Sequence, residues 1–187
     1  MAISNSLLIA LMFATILTLG IANLLMALAG VVGRIVGPKE YSIHTAWKVL
    51  LFFVHLVIFW HTGAVVSVEG WGFPGFLYII GGPIVLFFAT SILLSGGSPE
   101  EKDPHDLYFE ISSRFFQLFG LLQLWIVGAD VILGRGFTGS GALNAILAVL
   151  AFVLAMNKTE GFHKIGVGLG WGLVIIAPVL RWLGIII

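Results

Sequence analysis

The chain has 187 residues, of which 59% are hydrophobic and 10% charged, and nine basic residues balance nine acidic ones. With a mean hydropathy of +1.11, it lacks the charged surface, normally about a quarter of all residues, that a water-soluble domain needs. The balanced charge excludes a basic nucleic-acid surface, and the lack of cysteine excludes thiol catalysis, disulfides and cysteine-ligated clusters.

The fold class expected is all-α, a polytopic transmembrane bundle of six spans in one domain, 1–187. Six apolar runs carry it: Leu7–Val32, Thr45–Val66, Pro74–Leu94, Phe115–Leu133, Ala142–Met156 and Ile165–Ile187. Each is near the roughly 20 residues a helix needs to cross about 30 Å of hydrocarbon. The runs are continuous and do not alternate, which favours helices over barrel strands. Ala142–Met156 is the shortest and reaches span length with Ser140 and Asn157 at the interfaces.

The first run reads as a span and not as a cleaved signal, because no Lys or Arg precedes Leu7 and the run exceeds a typical signal core. The small residues Ala27-Leu28-Ala29 then serve helix packing. In the second run Lys48, His55 and Thr62 recur every seven residues on one stripe. Lys48 is expected to snorkel to the near interface. His55 lies near the middle of the span, where an ionisable group is a functional suspect; the alternative is a neutral imidazole bonded to a neighbouring helix. His61, beside Trp60, fits an aromatic belt. In the third run Pro83 follows Gly81-Gly82 and denies the Ile79 carbonyl its helical partner, which makes a kink or a cation-coordinating carbonyl.

The polar segment 96–106 is the natural hinge between a first half, 1–95, and a second, 107–187. Asp103 before Pro104 reads as an N-cap with proline at the first helical position. That helix is expected to run to Leu133, about 30 residues, longer than the bilayer core. Its first turns, with Leu107, Tyr108, Ile111 and the Glu110–Arg114 pair, then lie at the interface. Further along, Gln123 and Asp130 share a face. Asp130 is the deepest acid, a proton or cation site or else the partner of Arg135 or Arg181.

Thr138-Gly139-Ser140-Gly141 with His163 resembles the serine motif and later histidine of six-span rhomboid proteases. The first glycine is replaced, and Ser140 and His163 fall at opposite membrane faces, beyond a Ser–His hydrogen bond. That activity is rejected, and no enzyme is expected. Gly166, Gly168, Gly170 and Gly172 make two overlapping GxxxG spacings on opposite faces of the last helix, for close packing within the protomer and between protomers. They follow no strand and do not match a nucleotide loop. Pro178 denies the Val174 carbonyl its partner.

Seven of the nine basic residues, Arg34, Lys39, Lys48, Lys102, Arg114, Lys158 and Lys164, share one face of this topology. The positive-inside bias makes that face cytoplasmic, with both termini outside; the expected location is a bacterial inner membrane. The halves also echo each other. Gly20, Asn23, Ala27, Gly30 and Arg34 correspond to Gly120, Gln123, Val127, Asp130 and Gly134 at a constant offset of one hundred. His44 matches Asn144, and Pro83 and Pro178 fall in equivalent spans, so two inverted three-helix repeats are expected.

Gly20-Ile-Ala-Asn-Leu-Leu through Gly33-Arg34, Trp47, Phe59-Trp60, Trp71, Asp106-Leu-Tyr-Phe109 and Arg114-Phe-Phe116 together resemble a set of small, uncharacterised bacterial six-span membrane proteins. The resemblance covers the first two-thirds of the chain and implies the fold, with no activity to transfer. The function expected is an oligomeric channel or transporter for a small ion or proton, its path drawn from His55, Asp130, Lys48, Asn23 and Gln123. The alternative is an accessory subunit packed against a larger membrane complex. A third reading is a haem b electron-transfer subunit with His44 and His163 as ligands, His55 being another. The partners expected are membrane lipid and either further copies of the chain or the subunits of that complex; no other cofactor or metal and no nucleic acid is expected.

Overall fold

The computed structural model describes residues 5–33, 41–67, 72–95, 103–132, 136 and 139–182. Among them every regular element is helical: α1 Asn5–Gly33, α2 Ser42–Trp60, α3 Thr62–Val66, α4 Phe73–Leu94, α5 Pro104–Ile132, α6 Gly139–Met156 and α7 Glu160–Trp182. α2 and α3 form one rod, Ser42–Val66, interrupted only at His61. The rods therefore follow the six apolar runs. Asn5–Gly33, Ser42–Val66, Phe73–Leu94 and Pro104–Ala129 are long and apolar enough to cross a membrane. The apolar part of α6, Gly141–Met156, is shorter, about 24 Å at 1.5 Å per residue.

Local chemistry sets the ends. The Asp103 side chain accepts the His105 amide proton at 2.8 Å, and its carbonyl accepts from Leu107 at 3.0 Å. This satisfies donors that a helix start leaves orphaned. With Pro104 at its first position, α5 then runs 29 residues without a break, as its sequence predicts. Between α6 and α7, the Asn157 side chain accepts from the Thr159 amide at 2.7 Å. α4 continues through Pro83 and α7 through Pro178; the Pro178 side chain lies outside the described residues.

The exterior is apolar as well as the core. Met156, Val32 and Trp60 are 89%, 86% and 85% exposed, while His44, Lys48, His55, Thr90, Ser112, Gln123 and His163 are buried. An apolar exterior around a polar-dotted interior is what a hydrocarbon solvent selects. The helices neighbour one another in the closed order α1, α4, α5, α6, α7, α2, with α2 also touching α4 across the ring. Side chains fill the centre. Trp47 of α2 meets Phe115, Phe116 and Phe119 of α5 edge-on, at centroid distances of 5.7, 5.0 and 5.8 Å.

Two of the echoed glycines each lie against a ring of a neighbouring helix. Gly20 receives the His55 ring from the next span, and Gly120 receives the Phe152 ring from its own next span. The helix pairings match less well: α1 packs closely on α4, whereas no comparable contact joins α5 to α7 among the described residues.

Candidate functional site

On α2, His44, Lys48 and His55 fall within about 40° of one another at 100° per residue. All three are turned inward, with exposures of 8%, 7% and 0%. Lys48, expected to snorkel to the near interface, is buried along most of its length. The α2 face that carries it packs toward α1 and α4, so its aliphatic stem follows the interior.

His44 Nε2 lies 2.7 Å from the Leu93 carbonyl of α4. A carbonyl only accepts, so Nε2 carries the hydrogen. His55 Nδ1 lies 2.9 Å from the Leu51 carbonyl one turn back on α2 and donates for the same reason. Its Nε2 faces Thr90 Oγ1 of α4 at 3.5 Å, and the Thr90 hydroxyl donates to the Leu86 carbonyl at 2.9 Å. Gly20 of α1 closes the third side, where any Cβ would fall on the imidazole. The α2–α4 seam thus holds a column of polar groups sealed by α1. Thr62, the outermost member of the sequence stripe, instead donates to the Phe59 carbonyl at 2.6 Å and stands apart from the seam.

A second polar cluster sits at the end of the bundle where α2, α5 and α7 begin. Tyr108 is fully buried, and its hydroxyl lies 2.7 Å from His163 Nδ1. His163 Nε2 lies 2.8 Å from the Asn157 carbonyl. The carbonyl fixes the hydrogen on Nε2, so Nδ1 accepts from Tyr108. Burial lowers the pKa of His163, against a smaller opposing effect from the Asn157 carbonyl. Tyr41 packs on Tyr108 at 5.4 Å. Its hydroxyl and the Trp47 indole N–H are buried and make no hydrogen bond of good geometry among the described residues. Burial, reinforced by the nearby Glu160 carboxylate, pushes the Tyr41 phenol up to about 12. The Lys164 ammonium, 2.9 Å from Glu160, holds that carboxyl below its ordinary range. The His44 and Tyr108 rings, 5.8 Å apart, join this cluster to the seam.

The haem reading draws no support from this geometry. His44 Nε2 and both nitrogens of His163 are committed to buried hydrogen bonds. The Tyr108 ring also contacts both imidazoles. No group of three or more His, Cys, Asp or Glu is placed to hold a metal ion among the described residues.

Of the other sequence candidates, Gln123 is buried at 3% and Asn23 is half-buried on α1. Neither hydrogen-bonds to His55 or Thr90. Asp130 and Arg181 belong to α5 and α7, but their side chains, and all of Arg135, lie outside the described residues. Pro83 is buried beside Gly82, which presses against the Trp125 indole. Trp125 and Tyr78 exchange bonds across the α4–α5 contact: the indole N–H donates to the Tyr78 carbonyl at 2.7 Å, and the phenol to the Trp125 carbonyl at 2.9 Å.

The glycines of α7 divide by face. A Cβ at Gly166 would come within 2.6 Å of Leu154 on α6, and one at Gly170 within 2.7 Å of Leu50 on α2. Gly168 faces open space and Gly172 is half-buried. One GxxxG face therefore packs inside the protomer.

Sequence reasoning missed Thr90, Tyr108 and Trp47 as site residues. Thr90 gave a weak signal, a hydroxyl within an otherwise apolar run. The chain matches no known protein family, no curated protein and no solved structure.

Proposed function

We propose that this is a six-span integral membrane protein of the bacterial inner membrane that moves a small ion or proton, with His55 at the centre of its path. The basic face of the topology is cytoplasmic and both termini lie outside. One observation carries the reading. His55 is fully buried mid-helix, and its Nε2 meets Thr90 Oγ1 only at 3.5 Å. His44 Nε2 and both nitrogens of His163, by contrast, make short bonds of 2.7–2.8 Å. An imidazole kept in a protein interior with a spare lone pair is equipped to bind and release a proton. Lys48 and His44 extend the polar column toward the cytoplasmic end, and Asp130 on α5 is the acid assigned to the outer half.

The test is reconstitution of the purified protein in liposomes, with proton and alkali-cation flux followed separately. Flux above empty vesicles, reduced at least about tenfold in His55→Gln, supports the reading. Vesicles no leakier than controls, or flux indifferent to both His55→Gln and Asp130→Asn, would sink it.

A second reading, an accessory subunit of a larger membrane complex, draws on the open Gly168 face of α7. Leu169 and Ile165 beside it are 49% and 61% exposed, a surface suited to close approach by another helix. Native mass spectrometry after gentle extraction separates the two: a hetero-complex favours this reading, and homo-oligomers alone count against it.

A further inference from the structure

We infer that the species carried at His55 is the proton itself, and that Thr90 determines this specificity by completing the hydrogen-bond chain of the protonated imidazole. The inference rests on the proposed function and narrows its substrate class.

The geometry around the ring is one hydrogen short. Nδ1–H donates to the Leu51 carbonyl, and the Thr90 hydroxyl hydrogen is directed to the Leu86 carbonyl. Nε2 and Thr90 Oγ1 therefore face each other as two acceptors. Their 3.5 Å separation is wider than a formed bond, whose usual length is about 2.9 Å. One added proton resolves this. It binds the Nε2 lone pair, the new N–H donates to Thr90 Oγ1, and both existing bonds to carbonyls remain. The resulting chain runs Leu51 carbonyl, His55, Thr90, Leu86 carbonyl with a hydrogen in every link. Release is loss of the same proton from Nε2, which returns the neutral ring.

A metal cation has no comparable place. It must exchange its hydration shell for a ring of oxygens. Here the Leu51 and Leu86 carbonyls already accept from His55 and Thr90, and the remaining flank is Gly20, too close even for a methyl group. Leu17 and Leu24 on the Gly20 face of α1, and Leu51 and Leu86, are fully buried, so the surroundings are packed hydrocarbon. The groups facing the ring are Gly20 from α1, Thr90 from α4 and, on its own helix, Lys48 two turns away; no carboxylate among the described residues is bonded to it. With no counter-charge bonded to the ring among the described residues, protonation is transient, as conduction requires of a site that must also release.

The experiment uses the full-length protein in liposomes, measuring proton flux with an entrapped pH dye and Na⁺ and K⁺ flux with cation dyes. Thr90→Val, which keeps the shape and removes the oxygen, is expected to lower proton flux about tenfold, while Thr90→Ser restores most of it. Nitrogen NMR of His55 provides a second readout: the Nε2 resonance should report a lower proton affinity in Thr90→Val than in the wild type and Thr90→Ser. Wild-type Na⁺ or K⁺ flux equal to proton flux would overturn the proton assignment while leaving the transport reading intact. Full proton flux in Thr90→Val, or an unchanged Nε2 titration, would overturn the role of Thr90. Absence of flux for every ion overturns the transport reading and this inference with it.

Discussion

The Tyr108 hydroxyl donates to His163 Nδ1 across 2.7 Å, and this one bond fastens α5 to α7 at the end of the bundle where both begin. The two residues are 55 positions apart and both fully buried. Their edge-on ring contact, at 5.3 Å, is shared with Phe109 and Phe116. Removing the phenol oxygen leaves a buried imidazole nitrogen without a donor, which costs about 1–3 kcal/mol. Tyr108→Phe should therefore lower the unfolding midpoint in detergent, and it should add little in a His163→Phe background, where the acceptor of that bond is already gone. Additive losses would show that the pair is not a coupled unit.

The same pair makes stability depend on pH. His163 lies before the last apolar run, and burial lowers its pKa, so the folded protein favours the neutral ring. In the unfolded chain the ring takes up its proton near the ordinary value of about 6.5. Below that pH the unfolded state binds more protons than the folded one, and stability falls. Above it the contribution is fully present. Denaturation midpoints should be level from neutral to mildly alkaline pH and decline as pH drops from about 6.5. His163→Phe should flatten that decline. A wild-type midpoint that rises on acidification would contradict a neutral His163 in the folded state.

At the start of α5 the cap is a single carboxylate oxygen. Asp103 accepts from the His105 amide at 2.8 Å, and replacing it with Ala should cost about 1 kcal/mol, while Ser or Asn should retain most of the cap. The effect should appear in hydrogen exchange of the first turn of α5 before it appears in global unfolding. Uniform exchange across the Ala and Ser variants would mean that Pro104 and the buried turn after it hold the helix start unaided.

Why Asp103 was legible in the sequence and Thr90 was not has a physical basis. A cap is a local interaction: the acceptor and the donor lie two residues apart, and Asp before Pro is readable without knowing any neighbour. The same holds for the six runs, whose hydrophobicity answers to the lipid solvent. Partner choice is non-local. His55 meets Thr90 across 35 positions, and Tyr108 meets His163 across 55; nothing in the apolar runs sets which helix faces which. The burial of Lys48 is of the same kind: the packing of α2 against its neighbours decides where the stem lies.

Adjacent glycines on α4 provide the sharpest test of that packing. Gly82 presses on the Trp125 indole, so a methyl group there would overlap a rigid ring that is itself held by the Tyr78 carbonyl at 2.7 Å. Neither partner can give without breaking the reciprocal bonds between α4 and α5. Gly81, one position earlier, has nothing within 4 Å of where a Cβ would stand. Gly82→Ala should therefore destabilise by about 1–3 kcal/mol through overpacking. Gly81→Ala should be neutral or stabilise by up to about 1 kcal/mol, because alanine restricts the unfolded chain and favours helix. Thermal unfolding of the two variants side by side, in one detergent, reads the difference. Equal midpoints would mean that Trp125 does not lie in the Gly82 dent. A compensating Trp125→Leu change, which removes the ring's bulk, should recover part of the Gly82→Ala loss and none of any Gly81→Ala effect.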